Sequence, residues 1–176
     1  TEYTADFSTS SLTESTSIQI SIQQDNATDG INRCPSAENI ITLNYTLPDT
    51  TAPSVNSFTL TPSGGSAISS GSYSSATSYT LSVEFSESVS LVGSSLFTAS
   101  ASGGTSVGSF SNLTTGTATT HTATYTIDSG TGPQAITFNV PNNSVTDSTN
   151  QGPASASSII LNFDATNPAI TSFTLT

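Results

Sequence analysis

The chain has 176 residues, one Arg (Arg33), no Lys, one His (His121), 12 acidic residues and a formal charge of −11. Nucleic-acid phosphates and anionic membrane surfaces are bound through Lys and Arg, so both are excluded as partners, whereas metal cations, a salty medium or plain solubility suit the charge. The single Cys34 allows no internal disulfide, no apolar run approaches membrane-spanning length, and no signal peptide is visible, as expected for an internal fragment.

Ser and Thr make up close to two-fifths of the residues. Such an excess fits disorder, but the regular apolar alternation argues for strands, in which Thr is favoured. In chain order, residues 17–45 (SIQISIQQDNATDGINRCPSAENIITLNY) align without a gap on residues 135–163 (AITFNVPNNSVTDSTNQGPASASSIILNF). Asp29 falls on Asp147, Asn32 on Asn150, Pro35 on Pro153, Leu43 on Leu161 and Tyr45 on Phe163. Upstream, residues 2–7 sit over residues 122–127. Cys34 falls on Gly152 and reads as an incidental small residue in a loop.

After a three-residue insertion, residues 46–48, comes the phrase DTTAPSVNSFTLT at 49–61, which returns as DATNPAITSFTLT at 164–176, about 115 residues later. A period of one domain length marks a tandem array. Residues 1–48 are therefore read as the C-terminal half of one repeat, 49–163 as a complete repeat, and 164–176 as the first strand of the next.

Within the complete repeat, strands are predicted over 58–61 and over 79–86, with Tyr79, Leu81, Val83 and Phe85 on one face. Further strands are predicted over 96–101, near 107–110, and over 121–127 with Ala123, Tyr125 and Ile127 inward. The last two place Ile136, Phe138 and Val140, then Ile159, Leu161 and Phe163, on the core face. Clusters such as PSGG at 62–65 and SGTGP at 129–133 punctuate the runs. About seven short strands at this spacing predict an all-β, immunoglobulin-like β-sandwich in tandem repeats. The Cys–Trp–Cys core of antibody domains is absent, so aliphatic and Phe/Tyr packing must fill the interior.

The segment VEFSESV at 83–89, the stretch SLFTASASGGTSVGSF at 95–110, the strand AITFNV and the loop NNSVTDSTNQGP resemble the bacterial Ig-like repeats of large surface adhesins. Those repeats open with a D-T-T-A-P linker, carry an F-S-E-x-V segment and end with a V-T-D-x-x-x-N loop before the last strand. The resemblance implies an extracellular, cell-surface location in an adhesin or fibre, and repeats stiffened by calcium.

Strand parity also locates the carboxylates. Glu87, past the end of the 79–86 strand, the loop carrying Asp147 and Asn150, and the linker residue Asp49 all fall at the N-terminal pole, at the junction with the preceding domain. Calcium takes six to eight oxygens from carboxylates, carbonyls and amides, so these four residues form a candidate interdomain calcium site. Turn formation and capping explain the same Asp and Asn residues without a metal.

No grouping specifies catalysis, and the lone His121 reads as structural, so the chain is expected not to be an enzyme. Tyr3, Tyr79 and Tyr125 are in inward phase, and Tyr73, in a serine-rich loop, is the aromatic expected to be exposed. Three functions are in view. The first is a non-enzymatic structural spacer or adhesion repeat, partnered by neighbouring repeats of its own chain. The second is a filament subunit assembled by β-strand donation between like copies. The third is a carbohydrate-binding module acting through Tyr73 on a surface glycan.

Overall fold

Alternating apolar residues on Ser/Thr-rich strands leave one face of every strand to be buried, and sheets stacked face to face bury it. The computed structural model describes residues 4–25, 27–34, 37–102 and 107–174. Among these there is no helix, and so none long and apolar enough to cross a membrane. The chain divides after Asp49 into two compact units.

The first unit holds β1 (Thr16–Ile22), β2 (Ala27–Thr28), β3 (Arg33–Cys34) and β4 (Asn39–Tyr45). β1 and β4 pair antiparallel, and a small β2–β3 ladder lies between them in sequence. Cys34 thus belongs to a two-residue strand opposite Ala27 rather than to a loop. Residues 4–7 form no strand, and Tyr3, read as inward in phase, lies outside the described residues.

The second unit is a β-sandwich. Its strands are β5 (Val55–Pro62), β6 (Ser72–Ser74), β7 (Ser78–Leu91), β8 (Thr98–Ala101), β9 (Gly108–Ser111), β10 (Ala118–Ile127), β11 (Gln134–Val140), β12 (Val145–Thr146), β13 (Gln151–Gly152) and β14 (Ser157–Phe163). One sheet runs β13-β12-β7-β10-β9, with β5 also on β7; the other runs β6-β14-β11-β8. β14 and β6 pair parallel, whereas every other ladder is antiparallel.

The inward faces are the expected ones. Tyr79, Leu81, Val83 and Phe85 of β7 are buried, as are Ala123, Tyr125 and Ile127 of β10, Ile136, Phe138 and Val140 of β11, and Ile159, Leu161 and Phe163 of β14. Each of these Val, Leu, Ile and Phe side chains contributes roughly 1.5–3 kcal/mol by leaving water. Aromatic packing fills the interior of the sandwich. Tyr125 meets Phe138 edge-on at 4.9 Å between centroids and Phe110 at 4.8 Å, while Phe97 stacks between Phe58 and Phe110 at 5.9 and 6.2 Å. Gly108 is required where β9 crosses Tyr125, because a Cβ there would overlap the Thr126 carbonyl oxygen and stand 2.7 Å from the phenol ring.

His121 lies inside this core, fully buried, against the edge of Phe85 at 6.2 Å. Its Nδ1 and Nε2 each stand 3.2 Å from a backbone carbonyl, of Thr114 and of Val89. Both carbonyls are acceptors, so each faces a ring nitrogen that can donate to it.

One expectation changes. β7 does not end at Ser86 but continues to Leu91, so Glu87 is a strand residue. The register of β7 against β10 slips between Glu84 and Val89, which face Thr120 and Ala118. This bulge kept the long strand from reading as one alternating run.

The hairpins of the two units share their register. Ile18 pairs with Leu43 and Ile20 with Ile41 in β1–β4, as Ile136 pairs with Leu161 and Phe138 with Ile159 in β11–β14, an offset of 118 at every pair. The short ladders Ala27–Cys34 and Val145–Gly152 keep the same offset. The faces differ in cover: Phe138 is fully buried, whereas Ile20 is 44% exposed. Residues 164–174 form no strand, and Ile170 and Phe173 are exposed.

Candidate metal centre

The carboxylates gather at the pole of the second unit because three backbone features lead them there. The loop after β12 closes as an Asx turn: Asp147 Oδ1 accepts the amides of Thr149 at 2.6 Å and Asn150 at 2.7 Å. These amide donors hold the Asp147 carboxyl below the usual aspartate range, so it stays charged. Ser148 takes up the left-handed conformation (φ 92°) that Gly30 supplies at the matching position of the first unit (φ 95°). There Asp29 Oδ1 accepts the amides of Ile31 and Asn32, and its carboxyl is lowered for the same reason.

The segment entering the second unit is pinned beside that loop. Asn150 Nδ2 donates to the Thr51 carbonyl at 3.2 Å and to Asp147 Oδ2 at 3.1 Å. Ser54 and Ser86 exchange two bonds, Ser54 N to Ser86 Oγ at 3.0 Å and Ser86 N to the Ser54 carbonyl at 2.9 Å. Pro53 is buried, and its carbonyl packs on Gly152 so closely that a Cβ there would overlap the oxygen. Asp49 precedes this pinned segment, and Glu87 follows Ser86 on β7.

The result is that Asp49, Glu87 and Asp147 each offer a carboxylate oxygen within 4.8 Å of the others. Three oxygens within that mutual separation lie no more than about 2.8 Å from a common centre, so a small closure brings all three to the roughly 2.3–2.6 Å of calcium–oxygen contacts. The Asn150 amide nitrogen ties Thr51 and Asp147 together and braces the loop against the entering segment, while its Oδ1 is the atom that would face a cation.

β6 differs from the serine-rich loop expected around Tyr73: Ser72–Ser74 lie parallel to Leu161–Phe163. Gly71 N bonds the Ile160 carbonyl at 2.6 Å, Asn162 Nδ2 the Gly71 carbonyl at 2.7 Å, and Asp164 N the Ser74 carbonyl at 3.1 Å. A three-residue run carries too little periodicity to register; the only signal was Tyr73 standing between two serines.

No protein-family model, no curated protein and no solved structure matches this chain.

Proposed function

We propose that the chain is a non-enzymatic structural spacer, an Ig-like adhesion repeat from a long extracellular surface protein or fibre. The observation that carries this reading is the parallel pairing of β6, near the start of the second unit, with β14 at its end. When opposite ends of a domain are pulled, such neighbours slide lengthwise and their hydrogen bonds must break together. A pair pulled from one common end would instead open bond by bond. The shared register of the two hairpins supports the array, because one backbone solution serves twice in one chain. The only His being enclosed in the core by backbone carbonyls fits a chain without acid–base chemistry.

The carboxylate cluster serves the same role. Calcium bound by Asp49, Glu87 and Asp147 would fix the residue at which the chain enters the second unit and offset three clustered negative charges. The test is the melting temperature with excess calcium and with EDTA. A rise in calcium that disappears on Glu87→Gln supports the site, and identical melting in both rejects it.

One observation favours a second reading, assembly between like copies. Ile20, Ile22, Ile41 and Leu43 of the first unit are 42–69% exposed, and residues 170–176 repeat the β5 sequence, of which the described residues 170–174 form no strand. Yet β5 pairs with β7, and the described part of the first unit holds no counterpart of β7 for a donated strand to join. Sedimentation equilibrium separates the readings: a monomer at all concentrations fits the spacer, and concentration-dependent polymers fit the filament.

A further inference from the structure

We propose that the cleft beside Tyr73 binds a neutral saccharide, one sugar ring stacked on the phenol face. Tyr73 is 80% exposed, whereas the other tyrosines of the second unit, Tyr79 and Tyr125, are 1% exposed. An aromatic ring left in water on a mobile loop would mean little, but this one stands on a fixed frame. Its strand is paired to β14, with Tyr73 opposite Asn162. The flanking bonds from Gly71, Asn162 and Asp164 tie β6 down on both sides, and Ile160 N adds a bond to Ser70 Oγ at 3.0 Å. A platform ordered in advance loses little entropy when a ligand arrives.

The cleft measures about 240 Å³ and is walled by Pro133, Gln134, Asn162 and Asp164. That is smaller than the roughly 300–1,000 Å³ of sites for drug-sized ligands, and suits a single ring. A pyranose presents a C–H face that packs on an aromatic ring and a rim of hydroxyls that both donate and accept. The Gln134 amide can answer either role, and the Asp164 carboxylate accepts from hydroxyls. With Asp164 in the wall and only one cation in the whole chain, carboxylated or sulfated sugars are repelled, which selects neutral ones. A cationic ligand would meet a single aromatic face and one carboxylate, without the surrounding aromatic cage that such ligands require.

The test is native electrophoresis of the full chain through gels cast with soluble mannan, β-glucan or galactan, and with aminated chitosan oligomers. The expected result is retardation in at least one neutral matrix. Tyr73→Ala should weaken it at least about tenfold, equivalent to 1.4 kcal/mol, while Tyr73→Phe keeps it, since the ring face and not the hydroxyl makes the contact. Both variants should melt with the parent protein, because Tyr73 is exposed. Three results each overturn the proposal: free migration in all neutral matrices, equal retardation of Tyr73→Ala, or retardation by chitosan alone.

Discussion

Phe138 and Ile20 occupy the same register position in two hairpins, and truncating each gives opposite outcomes. Phe138 is fully buried, with Tyr125 at 4.9 Å and Phe110 at 6.5 Å, both edge-on. Phe→Ala in a packed core costs about 3–5 kcal/mol, and two lost ring pairs at about 0.5–1.5 kcal/mol each place this site in the upper half. Against a total stability of about 5–15 kcal/mol, that lowers the melting temperature of the second unit by on the order of 10–20 °C. Ile20 is 44% exposed, so Ile20→Ala forfeits roughly half of a buried side chain's transfer energy, about 1 kcal/mol, and leaves the second unit's transition in place. Urea unfolding followed by tyrosine emission reads both, since the chain has no Trp. A Phe138→Ala variant within about 1 kcal/mol of the parent would refute the aromatic core. An Ile20→Ala loss equal to that of Phe138→Ala would mean that the β1–β4 face is covered in solution.

Other outcomes follow from the pole. Gly152→Ala should destabilise the second unit by about 1–3 kcal/mol, because the Pro53 backbone cannot yield to a new Cβ; a neutral result in urea would show that this segment is loosely held. The Asp147 carboxyl is depressed in the folded state, so the stability it supplies is full above the ordinary aspartate range. That stability is lost as pH falls through its lowered value, below about 4. Asp147→Asn should therefore flatten the fall in melting temperature below about pH 4. An unchanged slope would remove the Asx turn as a source of acid sensitivity.

Much of this fold was legible because burial enforces parity. Tyr79 to Phe85, Ala123 to Ile127, Ile136 to Val140 and Ile159 to Phe163 each alternate cleanly, and all their inward residues are buried. The meeting of Asp49, Glu87 and Asp147 was legible too, since it follows from strand direction and needs no side-chain detail. What escaped was structure set by pairing rather than pattern. The bulge in β7 places Glu87 between Phe85 and Val89 and makes a continuing strand look finished. β6 is three residues long and exists because β14 offers it an edge. Residues 4–7 match a β10 sequence, yet β10 is held by β7 and β9, and the described first unit has no such neighbours. The bracing of Thr51 by the Asn150 amide nitrogen also escaped, because it depends on where Thr51 passes, which composition does not reveal.

The spacer account rests on the parallel β6–β14 pairing, and pulling single molecules from their two ends tests it directly. Shear loading should hold the second unit closed until one abrupt event releases the chain from Val55 to Phe163, roughly 350 Å of new length. A gradual extension without a discrete event, or release in several small steps at low force, would contradict a domain built to carry tension.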